Sequence, residues 1–537
     1  MARRATPTPA SPPLLHVPAA LALAFLLIPL VAMAWRVPWG QALDLVATRA
    51  SCEALWLSLR TCVASTLLCL LIGVPLALLL ARGGGWAGGL VRVLVTLPMV
   101  LPPVVAGLAL LATWGRRGLV GERLDAWGIE IGFTTIAVII AQTFVALPYL
   151  VTTVEAAERQ RGGAHERAAR QLGAGRWRVF LTVTLPLAAP SIVAGGALAF
   201  ARSLGEFGAT IAFAGSLQGV TRTLPLEIYL QRETETSRAL TLAVLLIAVA
   251  IVVVAGAQVV RHVWGPGRPL RRPVRVDRHV SAPPRRTREG PAGLVSAKLP
   301  ERGVDAEVRF PAGMVTALVG SNGAGKSTIL GVVAGELTGQ GGVRWSRPAR
   351  VVLLAQDEAL FPHLNVLDNV AYGPRSLGAG RDEARALAWR ELLNVGMEWA
   401  AGRAVSQLSG GQAQRVAIAR ALATDPDVVA LDEPMAGLDA SSAQAVRRAI
   451  NEMAPATRLV VTHDLGDVIA LDAHVVLVED GGVKAAGPWR ELAEAGDGEL
   501  LRLARIAAAS ALGGQSPDGE GGGGSQARHT PERPPAL

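Results

Sequence analysis

The first half of the chain is dominated by long apolar runs, and the second half alternates short apolar strands with stretches of helical periodicity. A helix needs about 20 apolar residues to cross the hydrocarbon core of a membrane. The runs of interest are Ala19–Trp35, Thr61–Ala81, Val91–Thr113, Phe133–Val154, Leu187–Phe200 and Ala239–Val260. These runs predict an α-helical transmembrane domain of about six helices over residues 19–261. The alternation of strands and helices in the second half predicts an α/β domain over residues 293–509.

The first apolar run has two interpretations. Ala32-Met33-Ala34 resembles the cleavage site of a signal peptide. However, the run is longer than most signal-peptide cores, and further spans follow it. We therefore favour an uncleaved membrane helix after a cytoplasmic segment of residues 1–18. Prolines interrupt several spans: Pro75, Pro102, Pro103 and Pro148. A broken helix at membrane depth is tolerated where it lines a cavity or packs on protein, but for any one proline we favour a simple kink.

Arginines set the expected orientation. Six of them lie in Glu155–Leu185, and six more follow the last span between Arg261 and Arg278. Positively charged loops stay in the cytoplasm, so both segments and the whole α/β domain are predicted to be cytoplasmic. Residues 262–292 are rich in Pro and Arg and predict an extended linker. The tail over residues 510–537 has no hydrophobic pattern and predicts disorder.

Composition agrees with a membrane protein. The chain is 51% hydrophobic and 18% charged, with a mean hydropathy of +0.37. Its net charge of +9 arises from arginines beside apolar runs, so we expect membrane lipid and no nucleic acid as a partner. Cys52, Cys62 and Cys69 fit no zinc or disulfide pattern.

A glycine-rich loop carries the first chemical signal. It follows the apolar run Val315–Val319 and precedes a predicted helix, and it fits the phosphate-loop pattern G-x-x-x-x-G-K-[ST]. Its residues are Gly320, Ser321, Asn322, Gly323, Ala324, Gly325, Lys326, Ser327 and Thr328. Backbone N–H groups and a helix N-terminus cradle phosphate oxygens in such a loop. Lys326 is predicted to reach the β- and γ-phosphates of ATP, and Ser327 to hold Mg²⁺.

A second motif is the acidic pair Asp432-Glu433, which directly follows a predicted buried strand, Val428–Leu431. An acidic residue at that position of a phosphate-loop protein holds Mg²⁺, which predicts this role for Asp432. Glu433 is placed to orient or deprotonate the attacking water.

Leu408-Ser409-Gly410-Gly411-Gln412 lies between these motifs. Here the second half of the chain resembles the ATP-binding cassette (ABC) family, whose signature is LSGGQ. The resemblance implies that Gln356 contacts Mg²⁺ and senses the membrane domain, that Ala436–Asp439 forms the D-loop, and that His463 contacts the γ-phosphate. It also implies that Ser409, Gly410, Gly411 and Gln412 of a second copy complete the ATP site. This family usually stacks adenine on an upstream aromatic residue, and Phe310 sits at a predicted core position instead.

The cytoplasmic segment 155–186 resembles the coupling loop of ABC importer permeases. Ala168, Ala169 and Gly173 match that motif, with Glu166 beside Arg167 where the family has Glu. Ser203–Thr210 and Gly219–Pro225 resemble molybdate permeases more than other oxyanion permeases. Arg202 and Glu206 are pathway candidates, although a structural or gating pair at helical spacing is the favoured role. The cassette is expected to lack the small regulatory β-domain of related ATPases.

These resemblances imply a homodimeric, multi-pass importer in the cytoplasmic membrane of a prokaryote. It would use ATP and Mg²⁺ to import an oxyanion, with molybdate favoured, delivered by an external oxyanion-binding protein. Sulfate, thiosulfate and tungstate are the open alternatives within importers. An ABC exporter and an ATP-gated membrane protein are the rivals outside them.

Overall fold

The computed structural model describes residues 13–264, 282, 284, 289–337, 340–356, 359–453 and 456–494. These residues form two compact units. One contains residues 13–166 and 176–264, and the other contains residues 167–175 and 289–494. The predicted linker over residues 262–292 lies largely outside the described residues, and the predicted tail over residues 510–537 lies entirely outside them.

The first unit is all-helical. Its helices are α1 His16–Trp35, α2 Ala42–Val46, α3 Arg49–Arg82, α4 Gly85–Val100, α5 Pro103–Trp114, α6 Gly121–Asp125, α7 Thr135–Arg161, α9 Arg176–Val179, α10 Leu185–Leu204, α11 Gly208–Ala214, α12 Leu224–Thr234 and α13 Thr236–Trp264. Helix α8, Ala164–Gln171, begins in this unit, and its residues from 167 onward belong to the second. A π-helical turn, Phe180–Thr184, joins α9 to α10. Among the described residues, five helices are long and apolar enough to span a membrane, or six if α4 and α5 form one bent span. The prediction of about six membrane helices is confirmed.

The prolines differ in their effect. Pro75 lies inside the continuous helix α3, and Pro148 inside α7. At Pro102 and Pro103 the favoured kink is wrong: the helix breaks at Leu101 and Pro102, α5 begins at Pro103, and the axes of α4 and α5 differ by 115°. Two consecutive prolines remove two backbone donors and clash with the preceding turn, which explains why the helix breaks here and only bends or continues elsewhere.

Small and polar side chains fill the centre of the helical unit. The Ser65 hydroxyl lies 3.1 Å from that of Ser203, and Thr143 donates to Ser65 at 3.3 Å. All three are buried. Small residues allow close approach of helix backbones, and hydroxyl bonds link neighbouring helices where water is absent. The three hydroxyls therefore tie α3, α7 and α10 together.

The second unit is α/β. Its strands are β1 Gly293–Leu299, β2 Val304–Phe310, β3 Val315–Val319, β4 Gln340–Trp345, β5 Val351–Leu354, β6 Val428–Asp432, β7 Thr457–Val461, β8 His474–Glu479 and β9 Gly482–Pro488. Its helices are α14 Lys326–Val333, α15 Val366–Val370, α16 Tyr372–Ser376, α17 Arg381–Asn394, α18 Gly410–Leu422, α19 Ala440–Asn451, α20 Leu465–Ala470 and α21 Trp489–Glu494. The predicted α/β class is confirmed.

Two sheets organise this unit. One is antiparallel in the order β2-β1-β4, and the other has the order β5-β6-β7-β3-β8-β9. In the larger sheet, the five strands β5, β6, β7, β3 and β8 are parallel to one another. Strands β3 and β7 are buried along their whole length, as expected for strands covered on both faces. Val461 of β7 pairs with Leu318 on one side and with Asp432 on the other, so the carboxyl ends of β3, β6 and β7 meet at one edge.

Candidate functional site

The glycine-rich loop connects β3 to α14 at that edge. Gly320 and Gly325 have φ angles of 155° and 98°. A Cβ on Gly320 would lie 2.0 Å from the carbonyl oxygen of Val478, and one on Gly325 would lie 2.7 Å from Cγ2 of Val304. Only glycine fits these positions, because they combine a left-handed backbone with close packing. The loop is therefore pressed against neighbouring strands while its turn directs backbone N–H groups toward one point.

Lys326 begins α14 and folds back over the loop. Its Nζ donates to the carbonyl oxygens of Gly320 at 2.9 Å and of Ser321 at 2.8 Å. Burial lowers the pKa of the Lys326 ammonium, while the nearby carboxylates of Glu433 and Asp432 raise it. The ammonium of Lys326 is therefore held by carbonyl oxygens. An oxygen of a negatively charged phosphate would be a stronger acceptor for the same ammonium and would replace them.

Asp432 ends β6, with the Ser327 hydroxyl near enough to act on the pKa of its carboxyl. Burial raises the pKa of the Asp432 carboxyl, the Ser327 hydroxyl and Lys326 lower it, and Glu433 raises it further. A hydroxyl and a carboxylate are hard oxygen ligands of the kind that Mg²⁺ uses together with nucleotide phosphates. The described residues contain no cluster of three metal-binding His, Cys, Asp or Glu side chains.

Glu433 directly follows β6 in a strained conformation. Its φ is 48°, which is unusual for a residue other than glycine and recurs at functional sites. Its N–H donates to the carbonyl of Val461 at 3.1 Å. Its Oε1 lies 3.5 Å from Nδ1 of His463, whose side chain is 62% exposed. The fold thus directs a carboxylate and an imidazole to one accessible point beside the loop.

Sequence reasoning missed the residues that hold the His463 turn. Thr462 donates to Oδ2 of buried Asp467 at 2.8 Å, and the N–H of Asp464 donates to the Thr462 hydroxyl at 3.1 Å. Arg447 of α19 donates to Oδ1 of Asp467 from Nε at 2.8 Å and from Nη2 at 2.5 Å. The acidic residue four positions after His463 was a usable signal, but its arginine partner comes from a different helix.

The signature residues form a helix N-terminus. Ser409 accepts from the N–H of Gln412 at 3.4 Å, and its own N–H donates to Oε1 of Gln412 at 3.0 Å. This reciprocal capping box uses one face of Ser409 and leaves Ser409 and Gly410 exposed. A Cβ on Gly411 would lie 3.2 Å from Cδ2 of Leu438. The signature therefore packs on the segment Ala436–Asp439 and presents its first residues to the surface.

Asp439 joins that segment to α19. It accepts from the N–H of Ser442 at 2.8 Å and from the hydroxyls of Ser441 at 2.7 Å and Ser442 at 3.1 Å. These donors lower the pKa of the Asp439 carboxyl to about 2. A carboxylate at a helix N-terminus satisfies orphan backbone donors and complements the helix dipole. Asp439 therefore fixes the start of the helix that also carries Arg447.

Two predictions concern residues around the phosphate loop. Gln356 follows β5 and is exposed.

Phe310 is only 1% exposed and stacks on Trp345, with ring centroids 6.2 Å apart. Phe310 is therefore a core residue that cannot stack on a bound base, as its position in the sequence indicated.

The predicted coupling residues make contacts in both compact units. In the first unit, Glu166 accepts from Thr184 at 3.2 Å and lies 3.7 Å from Nη2 of Arg82. In the second unit, Gln171 donates to Oε1 of Glu336 at 2.5 Å. Ala169 is fully buried, and a Cβ on Gly173 would lie 2.7 Å from Cδ2 of Leu377. Ala168 is exposed.

Arg202 and Glu206 form an ion pair in the helical unit, with Nη1 and Oε2 2.7 Å apart. Glu206 is 1% exposed, and its Oε1 accepts from the N–H of Ala209 at 2.8 Å. A Cβ on Gly208 would lie 2.5 Å from Cβ of Pro103. The Glu206 carboxylate thus satisfies a backbone donor at the start of α11, which packs on α5. This geometry favours the structural role over direct contact with an anion, which a carboxylate would repel.

Both halves of the chain match known families. Residues 73–262 match the model of the binding-protein-dependent transport system inner membrane component, and residues 304–436 match the ABC transporter model. The molybdenum transport system permease protein ModB of Mycobacterium tuberculosis is 54% identical over 241 residues, covering 45% of this chain and 91% of that protein. The corresponding permease of Escherichia coli is 44% identical over 186 residues, covering 34% of this chain and 81% of that protein.

The other half has separate relatives. The molybdenum import ATP-binding protein ModC of M. tuberculosis is 42% identical over 247 residues, covering 42% of this chain and 66% of that protein. Two proteins of one organism thus resemble two parts of this one polypeptide. The chain belongs to the binding-protein-dependent transport systems, and it joins their inner membrane component to an ABC transporter ATPase domain.

Proposed function

We propose that this protein imports molybdate across the cytoplasmic membrane at the expense of ATP. The observation that carries the proposal is the similarity of the membrane half to a permease named for molybdenum transport, at 54% identity over nearly the whole of that permease. The similarity of the second half to a molybdenum import ATP-binding protein supports the same substrate independently. Sulfate, thiosulfate and tungstate are related oxyanions that the test below separates from molybdate.

The residues of the phosphate-loop edge have distinct roles in this proposal. Lys326 and the loop N–H groups bind the β- and γ-phosphates of ATP. Ser327 and Asp432, whose carboxyl pKa the Ser327 hydroxyl lowers, hold Mg²⁺ together with Gln356. That ion neutralises charge on the phosphates when bound. Glu433 orients the attacking water and accepts its proton, and His463 contacts the γ-phosphate from the neighbouring strand end.

We propose a homodimer as the working unit. The exposed N-terminus of α18, formed by Ser409 and Gly410, is suited to receive an anion. The chain has one phosphate loop and one signature, so two copies arranged head to tail would form two complete sites, each with its phosphate loop from one copy and its Ser409–Gln412 from the other. ATP would then close the two cassettes, and hydrolysis would release them.

Closure reaches the membrane through the coupling segment in this proposal. Residues 167–175 belong to the same compact unit as the cassette. A motion of the cassette would therefore carry these residues with it and pull on the helices that flank them, α7 and α10. Alternating exposure of a pathway between the two copies would release molybdate that an external binding protein delivers.

Reconstitution tests the proposal. The full-length protein is placed in vesicles containing ATP, with candidate oxyanion-binding proteins outside, and both ATP hydrolysis and oxyanion uptake are measured. We expect the molybdate-loaded binding protein to stimulate both activities, and Glu433→Gln to abolish both. Stimulation by the sulfate-loaded protein alone would overturn the substrate assignment. Export from loaded vesicles, or oxyanion flux that persists without hydrolysis, would overturn import and favour an exporter or an ATP-gated membrane protein.

A further inference from the structure

The cassette has a cleft that is separate from its phosphate loop. It is an open cavity of about 670 Å³, lined by β1, β2 and β4 of the smaller sheet and by β8 and β9 of the larger one. Cavities of about 300 to 1,000 Å³ accommodate small organic molecules. His474 lines the cleft and pairs with Thr316 of β3, whereas the phosphate loop begins at Gly320. At about 3.3 Å per residue, the cleft and the loop lie roughly 13 Å apart along β3.

Two edge strands, β2 and β9, form opposite walls of the cleft. Each is the last strand of its sheet. They touch at one end, where the N–H of Asp305 donates to the carbonyl of Gly481 at 2.9 Å, and the cleft opens further along, where Phe310 and Ala486 line it. Alternate N–H groups of an antiparallel strand point the same way, so the Arg309 N–H also faces away from β1. The edge of β2 therefore presents backbone hydrogen-bonding groups on the side of the cleft.

Two arginines stand at the cleft. Arg309 of β2 and Arg344 of β4 both pair with Leu294 of β1, so the three side chains project from one face of the sheet. The arginines are about two strand spacings apart, or roughly 10 Å. Both are exposed, and neither has an ion pair or a side-chain hydrogen bond within the described cassette. Glu307 also borders the cleft, which leaves a net positive charge there. Guanidinium groups bind carboxylate and phosphate oxygens through paired N–H donors.

The wall formed by β8 adds uncharged polar groups. His474 is half-buried, and burial lowers the pKa of its imidazole, while Glu491 opposes the shift. A neutral imidazole can donate one hydrogen bond and accept another. Thr316, which pairs with His474, is fully buried, and its hydroxyl has no hydrogen-bond partner among the residues that the structure describes. An unpaired buried hydroxyl is costly, so this wall holds a polar group that the chain itself leaves unsatisfied.

We infer that this cleft binds a small organic anion, a carboxylate or a phosphate ester, at a site distinct from that of ATP. The anionic head lies between Arg309 and Arg344. The body of the ligand packs against Leu294 and Val483 and hydrogen-bonds to His474 and to the edge of β2. The site is separate from the proposed transport reaction and does not depend on which oxyanion is carried.

Calorimetric titration of the full-length protein in detergent tests the cleft. The phosphate loops are first saturated with Mg²⁺ and a non-hydrolysable ATP analogue, so that an anionic probe cannot bind there. Phenyl phosphate and benzoate are then titrated as the two head groups, and benzyl alcohol as a neutral molecule with a similar body. Heats measured with protein-free detergent are subtracted. Arg309→Gln and Arg344→Gln each remove one charge. Arg381→Gln is the matched control, because Arg381 is also an exposed arginine of the cassette and lies outside the cleft.

We expect saturable binding of at least one anionic probe and none of benzyl alcohol. Arg309→Gln and Arg344→Gln should each weaken that binding about tenfold or more, since each loses a charge-assisted hydrogen bond, and Arg381→Gln should leave it unchanged. Tighter binding of phenyl phosphate assigns the site to phosphate esters, and tighter binding of benzoate assigns it to carboxylates.

Three results would overturn the inference. The first is that neither anion binds saturably at millimolar concentration. The second is equal binding by the wild-type protein and all three variants, which would place the probe elsewhere. The third is a parallel loss of affinity for the probe and for the ATP analogue in both cleft variants, because the probe would then follow the ATP site and not the cleft.

Discussion

Glu433 and His463 lie on neighbouring strand ends, with Oε1 of the carboxylate 3.5 Å from Nδ1 of the imidazole. They follow β6 and β7, which pair in parallel so that Asp432 stands opposite Val461. Parallel pairing places the residues after both strands at the same edge of the sheet, beside the phosphate loop that follows β3. Strand pairing therefore brings the carboxylate of Glu433 and the imidazole of His463 together beside the phosphate loop.

The first prediction concerns the proposed base. Glu433→Gln keeps the size and hydrogen-bonding capacity of the side chain but removes the group that accepts a proton. We expect kcat for ATP hydrolysis to fall about 10²- to 10⁴-fold, the usual contribution of general base catalysis, while ATP affinity is retained. Turnover and binding of a fluorescent ATP analogue check this. Glu307→Gln, on the exposed face of β2, serves as the control; normal turnover in Glu433→Gln would eliminate the role.

The second prediction concerns the composite site. Lys326→Ala and Ser409→Ala homodimers are each expected to be inactive. When the two variants are tagged differently, co-expressed and purified as mixed dimers, one site carries both defects and the other carries none. Mixed dimers should therefore hydrolyse ATP although neither parent does. Mixed dimers without activity would contradict the assembly of each site from two chains, provided that wild-type dimers with the same tags are active.

The third prediction concerns the network behind His463. Asp467→Ala leaves Arg447 and Thr462 without their buried acceptor, so we expect a loss of roughly 3 kcal/mol in stability, typical of breaking a buried ion pair. The Tm of the purified full-length chain should fall by several degrees. Asp305→Ala is the matched control, since the Asp305 side chain is 75% exposed and pairs with Lys298 at 3.4 Å; its effect should stay below about 0.5 kcal/mol.

Asp467→Asn separates positioning from stability. The amide retains one acceptor for Thr462 but loses the charge that holds Arg447. We expect kcat to fall with little change in ATP affinity, because the affected turn carries His463 and not the phosphate loop. An equal loss in kcat and in ATP affinity would instead indicate general damage to the cassette.

The fourth prediction concerns acidity. Burial raises the pKa of Asp432 above that of an ordinary aspartate, although Ser327 and Lys326 oppose the shift. As the pH falls, Asp432 should therefore gain its proton earlier than an exposed aspartate and stop serving as a metal ligand. We expect the Mg²⁺-dependent part of nucleotide binding to weaken on acidification, and to be absent at every pH in Asp432→Asn. A Mg²⁺ dependence unchanged in Asp432→Asn would rule out the assigned ligand.

The sequence by itself determined the local chemistry and the order of the parts. Apolar runs of membrane length, a phosphate-loop pattern behind a strand and an acidic pair at the end of a buried strand are local signals. Each depends on neighbouring residues only, so the sequence predicts roles for Gly320–Thr328, Asp432 and Glu433 without any knowledge of the fold. For Pro102 and Pro103 the sequence favoured a kink, because each proline was considered singly, whereas the structure has a break at the pair.

The tertiary structure decided which distant residues meet. The strand order β6-β7-β3 places Asp432 and His463 at one edge, and no local pattern specifies strand order. The same packing pairs Arg447 of α19 with Asp467 and caps α11 with Glu206. Burial and pairing depend on the packing of elements far apart in the chain, which is why these relationships required the fold.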